Sequence, residues 1–395
     1  MHKARRILFV VGLGLFAMGA AGPVSAATQH TAPIPHPAHQ RPAAKAKPAA
    51  AKPLPSVTLP QLLVDMTTGN VLYEQNAGAP WHPASLTKLM TAYVTFQALA
   101  AGRVTLDTRV VMSRKAVNEA PARSGLKAGE SLTLKDALYV MLVKSANDMA
   151  VAVAETVAGS TDAFAAEMNA TAAKLGLVRT HYDNVNGLPD DGQVTTARDL
   201  AVLAIDLRRT FPEYDQIYRT HIVTLNKVPL KGNNMLLTSF EGTDGMKTGF
   251  ICASGLNLVA TVNRNGRQLL AVVLGGSSSR ERDQLAGQML TKGFSGDYKD
   301  SGSSVVDIVD NTSEPPMDMK PLLCGREAKA YVTARLKAFR LGLKGSPNYL
   351  TDKIPSNTYA ATDLGPVTAA AVATGVTTAA DTQPAQGDSD AGAGK

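Results

Sequence analysis

The sequence predicts a mixed α/β fold of the α+β kind, in which strands from both ends of one long segment meet in a single sheet. β-like runs stand at residues 59–65 and near 71–74, apolar residues at helical spacing cluster between 86 and 210, and β-like runs return over 251–275. Strands, then helices, then strands is an order that brings both ends of a segment into one sheet, with helices packed about it. Large apolar residues recur at regular intervals from about Ser56 to Gly293, enough length for one sizeable core or two small subdomains.

Ahead of that segment, residues 1–26 carry Lys3, Arg5 and Arg6, then an apolar run, then the small residues Ala21, Gly22, Val24 and Ala26. This is the pattern of an export signal cleaved near Ala26, the run being short for a spanning helix, with an uncleaved membrane anchor as the alternative. Residues 27–55 are mostly Ala, Pro, Lys and His, with too little apolar surface to offset chain entropy, and read as an extended, disordered tether. Residues 56–300 form the folded domain. Residues 301–350 are a C-terminal extension with one helical pattern, 324–343, and 351–395 a low-complexity Ala/Thr/Asp/Gly end read as disordered.

Composition excludes several functions. The net charge of +7 is modest and partly confined to the first 55 residues, and 5% aromatics leave no stacking platform, so nucleic acid is not expected as a partner. Two cysteines, Cys252 and Cys324, cannot make a structural zinc site, and neither a metal nor another cofactor is expected. In an oxidising compartment each has a partner only in the other, and a bridge would pin the tail helix beside the 243–262 strand. Two unpaired thiols are the other possibility.

Three short stretches carry chemistry. In "PASLTKLM" (83–90), Pro83 suits a first helical turn, and Leu86, Leu89, Met90, Tyr93 and Val94 recur at helical spacing. Ser85 then sits at the positive end of a helix, and Lys88, three residues on, lies on the same face within its reach. A desolvated lysine loses its proton readily and can accept one from a serine. The ordinary alternative is a capping serine and a solvated lysine. In "VKSANDMA" (143–150), Ser145 and Asn147 can face one cleft from a turn while Asp148 caps the following helix, or all three are simply turn and cap residues. In "TDGMKTGF" (243–250), Lys247, Thr248 and Gly249 fall on a strand, where ammonium and hydroxyl would receive a carboxylate and the glycine leaves the backbone open to a ligand. An exposed lysine on a hairpin is the alternative there.

Together, Ser-x-x-Lys, Ser-x-Asn and Lys-Thr-Gly supply a nucleophile, a proton relay and an anion receptor, a set resembling that of penicillin-binding proteins and serine β-lactamases. The likeness extends to "DMTTGNVLYEQNA" (65–77), "HPASLTKLMTAY" (82–93), "SGLKAGESLTLKDALYVMLVKSANDMA" (124–150), "NVNGLPDDGQVTTARDLAVLA" (184–204) and "GTDGMKTGFICASGLNLVA" (242–260). From about Leu59 to Phe294 the chain resembles the low-molecular-mass penicillin-binding proteins, the D-alanyl-D-alanine carboxypeptidases of the S11 serine peptidase family.

That resemblance implies a β-lactamase/transpeptidase-like fold, a mainly antiparallel sheet flanked by helices with a helical subdomain and the site between them. It implies a penicillin-sensitive, serine-type carboxypeptidase that removes the terminal D-Ala from peptidoglycan stem peptides through an acyl-enzyme, with β-lactam antibiotics as covalent inhibitors. Ser85 becomes the nucleophile, Lys88 the base of acylation, Ser145 the proton relay and Asn147 the residue orienting Lys88. Lys247, Thr248 and Gly249 bind the terminal carboxylate end, and the backbone N–H groups of Ser85 and Phe250 form the oxyanion hole. In "GGSSSRERDQLAGQMLTKGF" (275–294), Arg282 has the spacing of an arginine that assists carboxylate binding, with Arg280 as competitor. The superfamily leaves the acylating base open between candidates. No acidic residue matches the deacylating glutamate of class A β-lactamases, which points to persistent acylation by antibiotics. An endopeptidase that cuts crosslinks, and a catalytically silent wall-binding module, are the alternatives. His181, in "RTHYDN", reads as surface structure rather than part of a triad.

The chain departs from the family after residue 300. Many members carry a small β-domain there and then an amphipathic membrane helix, and 301–395 shows neither plainly. Periplasmic residence after export is the default. The basic 324–343 pattern, with Arg326, Lys329, Arg335, Lys337 and Arg340, leaves a peripheral place on the inner-membrane surface as the less favoured reading.

Overall fold

The computed structural model describes residues 56–367. The expected signal, the tether to residue 55 and the end beyond 367 lie outside the described residues. Five antiparallel strands form the central sheet: β1 (Gln61–Asp65), β2 (Val71–Gln75), and, after a helical block, β7 (Thr243–Ile251), β8 (Gly255–Arg264) and β9 (Arg267–Gly276), in the order β2-β1-β9-β8-β7. β1 pairs with β9, Leu63 opposite Ala271, so the two ends of the segment do meet in one sheet. The 251–275 run is a hairpin, turned at Asn265 and Gly266, both with positive φ (53° and 80°) as the tight Asn-Gly turn requires.

β9 reads as an unbroken apolar run from Leu269 to Leu274, and β8 is apolar over Leu258–Ala260, because both faces of the sheet are covered there. Leu270, Val272 and Leu274 join the core beneath the helical block, while Leu269, Ala271 and Val273 pack on Ala286, Met289 and Leu290 of the helix that follows β9.

The helical block lies between β2 and β7. It holds α1 (Thr87–Ala100), the short α2 (Arg114–Val117), α3 (Leu134–Val143), α4 (Asn147–Ala158), α5 (Thr161–Lys174) and α6 (Ala197–Thr210), with the strands β3 (Arg109–Val111) and β4 (Ser131–Thr133) beside α2 and α3. Every residue of α1 from Thr87 to Phe96 is buried, so this helix is the axis of the block rather than an amphipathic cover. Thr133 and Thr196 cap α3 and α6 by accepting from the N–H of Asp136 and Asp199. After α6 come α7 (Asp215–Arg219), the hairpin β5 (Ile222–Leu225) and β6 (Val228–Lys231), and α8 (Leu236–Ser239); α9 (Ser279–Ser295) follows β9.

Beyond residue 296 the chain is a strap laid over the rest, which corrects two expectations. The helix expected at 324–343 is shorter: α11 spans only Ala328–Ala338, and residues 324–327 are a turn that separates it from the one-turn helix α10 (Lys320–Leu323) just ahead. The part of the expected disordered end that is described, 351–367, includes β10 (Thr358–Ala361), which pairs in parallel with β5 and stacks Tyr359 on Tyr139. The strap is fastened along its length: Val71 N–H donates to Ser303 O at 2.9 Å, Met319 N–H to Ala253 O at 2.8 Å, Arg335 pairs with Glu281, and Thr362 N–H meets Asp136. Cys252 and Cys324 are bridged, closing a separation of 72 residues. Among the described residues no helix is long and apolar enough to cross a membrane.

Candidate active site

The turn that carries Ser85 is fixed before the serine is reached. Trp81 donates its indole N–H to Ser254 O at 2.8 Å, and the Asn257 amide on β8 donates to the carbonyls of His82 (3.0 Å) and Pro83 (3.2 Å). Ser85 lies in a single 3-10 turn, Ala84–Leu86, just ahead of α1, and not in the α-helix itself. Ala84 is held at φ +50°, a conformation that a non-glycine residue adopts only when its surroundings impose it. Two glycines supply them. A Cβ on Gly249 would stand 3.0 Å from Ser85 N, and one on Gly187, at φ +85°, would stand 1.9 Å from Ala84 O. The space beside the nucleophile thus admits backbone and nothing larger.

One turn along α1, Lys88 has no exposed surface. Its Nζ lies 3.2 Å from Ser85 Oγ, 2.7 Å from Asn147 Oδ1 and 2.6 Å from the carbonyl of Asn186. Burial first, then the charge of Lys247, pushes its pKa well below the usual lysine value, against the opposing charges of Asp148 and Glu119.

Across the cleft, Ser145 sits between α3 and α4 at φ +64° and accepts a hydrogen bond from Lys247 Nζ at 2.8 Å. Asn147 is the first residue of α4 rather than a free turn residue. Asp148 stands inside the first turn of that helix, not at its cap position, and its Oδ1 accepts from the N–H of Met149 at 2.8 Å. Its carboxylate accepts from the N–H and hydroxyl of Ser124 (2.8 and 2.7 Å), clamping the preceding loop, and the cap position, Ala146, makes no side-chain bond.

Lys247 and Thr248 lie on β7, the edge strand, 2% and 7% exposed. Burial, then the charge of Arg282, lowers the Lys247 pKa to about 7. Arg282 is buried, bonded to Asp283 (2.6 Å) and to Asn233 O (3.1 Å). Arg280 is occupied elsewhere, donating to the strap carbonyls of Leu336, Phe339 and Leu341. Phe250 is 52% exposed at the mouth of the cleft. His181 is exposed and faces Asp183, away from this group.

Sequence reasoning missed Asn186, Gly187 and Asn257. The first acts through its backbone carbonyl, the second by having no side chain, and the third by holding a turn, and none of these roles leaves a motif. Hollows of about 660 and 740 Å³ lie where the strap crosses β2 and the 76–81 segment; serines and carboxylates line them, but no lysine does and none of these serine hydroxyls is bonded to a carboxylate, so the chemistry points to the cleft.

The model of the Peptidase S11 family, described as D-alanyl-D-alanine carboxypeptidase, matches residues 50–278. The chain belongs to this family. Among S11 relatives it is 39% identical over 240 residues to D-alanyl-D-alanine carboxypeptidase DacC of Escherichia coli (strain K12), covering 59% of this chain and 60% of that one. The chain thus spans about 60% of the length of the curated relatives it matches. Of solved structures, penicillin binding protein 6B of Escherichia coli is 35% identical with a TM-score of 0.58, over 62% of this chain and 80% of that one. Penicillin-Binding Protein D2 of Listeria monocytogenes, solved in a cefotaxime-bound form, is 30% identical with a TM-score of 0.56, over 62% of this chain and all of that one. The fold is therefore the transpeptidase-like fold of the penicillin-binding proteins.

Proposed function

We propose that the protein is a serine-type D-alanyl-D-alanine carboxypeptidase, exported and acting on peptidoglycan stem peptides in the cell wall. The observation that carries this reading is the Lys88 amine. A neutral amine has two N–H groups and one lone pair, and two of the three contacts of Nζ, Asn147 Oδ1 and Asn186 O, can only accept. In the neutral form they occupy both hydrogens, and the lone pair is left for the Ser85 hydroxyl at 3.2 Å.

In acylation, Lys88 takes the Ser85 proton as Oγ attacks the carbonyl of the penultimate D-Ala. The developing oxyanion is received by the N–H groups of Ser85 and Phe250, a type of contact whose loss costs about 10²–10³ in rate. Ser145 passes a proton to the departing D-Ala amine, and Lys247 and Thr248, with Arg282 behind them, hold its carboxylate. Water then attacks the acyl-enzyme with Lys88 again as base. That the Listeria relative is solved with cefotaxime bound supports β-lactams as ligands here, and in this reading they acylate Ser85.

Fluorescent penicillin tests the reading directly. It should label the wild-type protein on the Ser85 peptide and fail to label S85A, with the thermal unfolding of S85A close to wild type because that hydroxyl adds little to the core. Label persisting on S85A would sink the assignment, and an unlabelled wild type would favour a silent wall-binding module.

A further inference from the structure

No sequence motif falls on the loop 118–124, yet this loop holds both acceptors that orient the Lys88 amine. Asn147 donates its side-chain amide to the carbonyls of Ala120 and Pro121, each at 3.1 Å, and its backbone N–H to Ala122 O at 2.8 Å. Ser124 binds the neighbouring Asp148 carboxylate through its N–H and its hydroxyl. The third tie is ionic at one end: Asn186, only 3% exposed, donates its side-chain amide to Glu119 Oε2 at 3.0 Å.

The geometry points to Glu119 as a positioning residue for Lys88: its carboxylate holds Asn186 by the side-chain amide, and so keeps the Asn186 carbonyl where it takes one hydrogen of the amine. This rests on the functional reading above. The rest of the turn is anchored independently, with Thr91 Oγ donating to Val185 O at 2.6 Å and Leu188 N–H to Asn186 Oδ1 at 3.0 Å. What Glu119 adds is a second tie on the Asn186 side chain: Leu188 N–H holds its Oδ1 and Glu119 its amide nitrogen, so the side chain, and with it the peptide, is fixed at both ends against turning away from Nζ. With Asn147 tied to carbonyls of the same loop, one short segment sets the directions of both N–H groups, and the lone pair follows.

Glu119 also brings charge. The groups that act on Lys88 are Lys247 from β7, which lowers its pKa, and Asp148 from α4 and Glu119 from the loop, which raise it against the larger effect of burial. Loss of the Glu119 charge therefore makes Lys88 easier to deprotonate, while loss of the hydrogen bond loosens its aim. The two effects separate in two variants. E119Q keeps an acceptor for Asn186 without the charge, and E119A removes both.

The test is the second-order rate of Ser85 acylation by fluorescent penicillin, measured against pH. E119Q should shift the acid limb to lower pH and retain most of the plateau rate. E119A should show the same direction of shift with a plateau about threefold to tenfold lower, the span expected for one lost hydrogen bond. An E119Q acid limb at the wild-type position overturns the proposal, as does an E119A plateau equal to wild type. If melting shows that E119A is unfolded, E119D takes its place: it keeps the charge but draws the carboxylate back from Asn186, so the acid limb should stay at the wild-type position with a lowered plateau, and a wild-type plateau overturns the proposal. A wild-type protein that takes no label on the Ser85 peptide overturns the functional reading instead, and is distinguished before any variant is compared.

Discussion

Two lysine side chains, Lys88 and Lys247, share one cleft with almost no exposed surface, and the charge of Arg282 acts on the second of them. Burying a cation beside other cations opposes folding, so the arrangement is a stability cost set against function. For Lys247 the sign can be worked out. With its folded pKa near 7 against an ordinary 10.5, the unfolded chain binds a proton between those values that the folded protein does not. Stability contributed through this group rises with pH across that window, and below about 7, where both states are protonated, the cost is full. K247Q should therefore melt higher than wild type at pH 6, by on the order of a few kcal/mol at most, and the advantage should shrink towards pH 10. A difference between the two proteins that does not change with pH would contradict it. At this scale Ser85, Lys88, Ser145 and Lys247 were legible because the chemistry demands those side-chain types. Glu119 and Asn186 were not, since a carbonyl that orients an amine can be offered by any residue.

Among elements, the strands and helices between 59 and 294 were legible in outline because their apolar residues repeat with the period of the structure they form. The strap was not. Its buried residues, Val305, Asp310, Met319, Tyr331 and Ala361, stand 5 to 30 residues apart and are buried by docking one at a time onto elements already folded, so no period marks them. The bridge between Cys252 and Cys324 ties this strap to the end of β7, five residues past Lys247. Closing a loop of 72 residues restricts the unfolded chain by about 4 kcal/mol in the chain-entropy account, less any native strain. The C252S/C324S protein should accordingly melt several degrees below the wild type and show no response to reductant, while wild-type melting falls when reductant is added. Equal melting temperatures for the two proteins would mean that the strap's noncovalent ties already suffice.

The whole molecule brings together what the chain keeps far apart. Ser85 stands on the connection from β2 to α1, Ser145 comes from the helical block, Lys247 and Thr248 from the far edge of the sheet, and Arg282 from the helix beyond it. The sequence order of these residues does not reveal that meeting; it follows from strands at both ends of the 59–294 segment closing one sheet over the helices, which the order of strand-like and helical runs predicted and the family resemblance also implied. One consequence, in the proposed function, is a receptor for negative charge assembled from two separate parts of the fold, β7 and α9. In the proposed reaction that charge is the carboxylate of the terminal D-Ala, and a charge-assisted hydrogen bond of this kind is worth about 1.5–3 kcal/mol. Replacing the carboxylate of a stem peptide by an amide leaves Lys247 enclosed without its anion, so wild-type turnover should fall by about tenfold to a hundredfold. K247Q, which has no charge to leave unpaired, should start slower and lose much less on the same change of substrate. Steady-state release of D-Ala or D-alaninamide from matched peptides measures both ratios, and equal losses in the two proteins would mean that Lys247 serves Ser145 alone and that the carboxylate is received elsewhere.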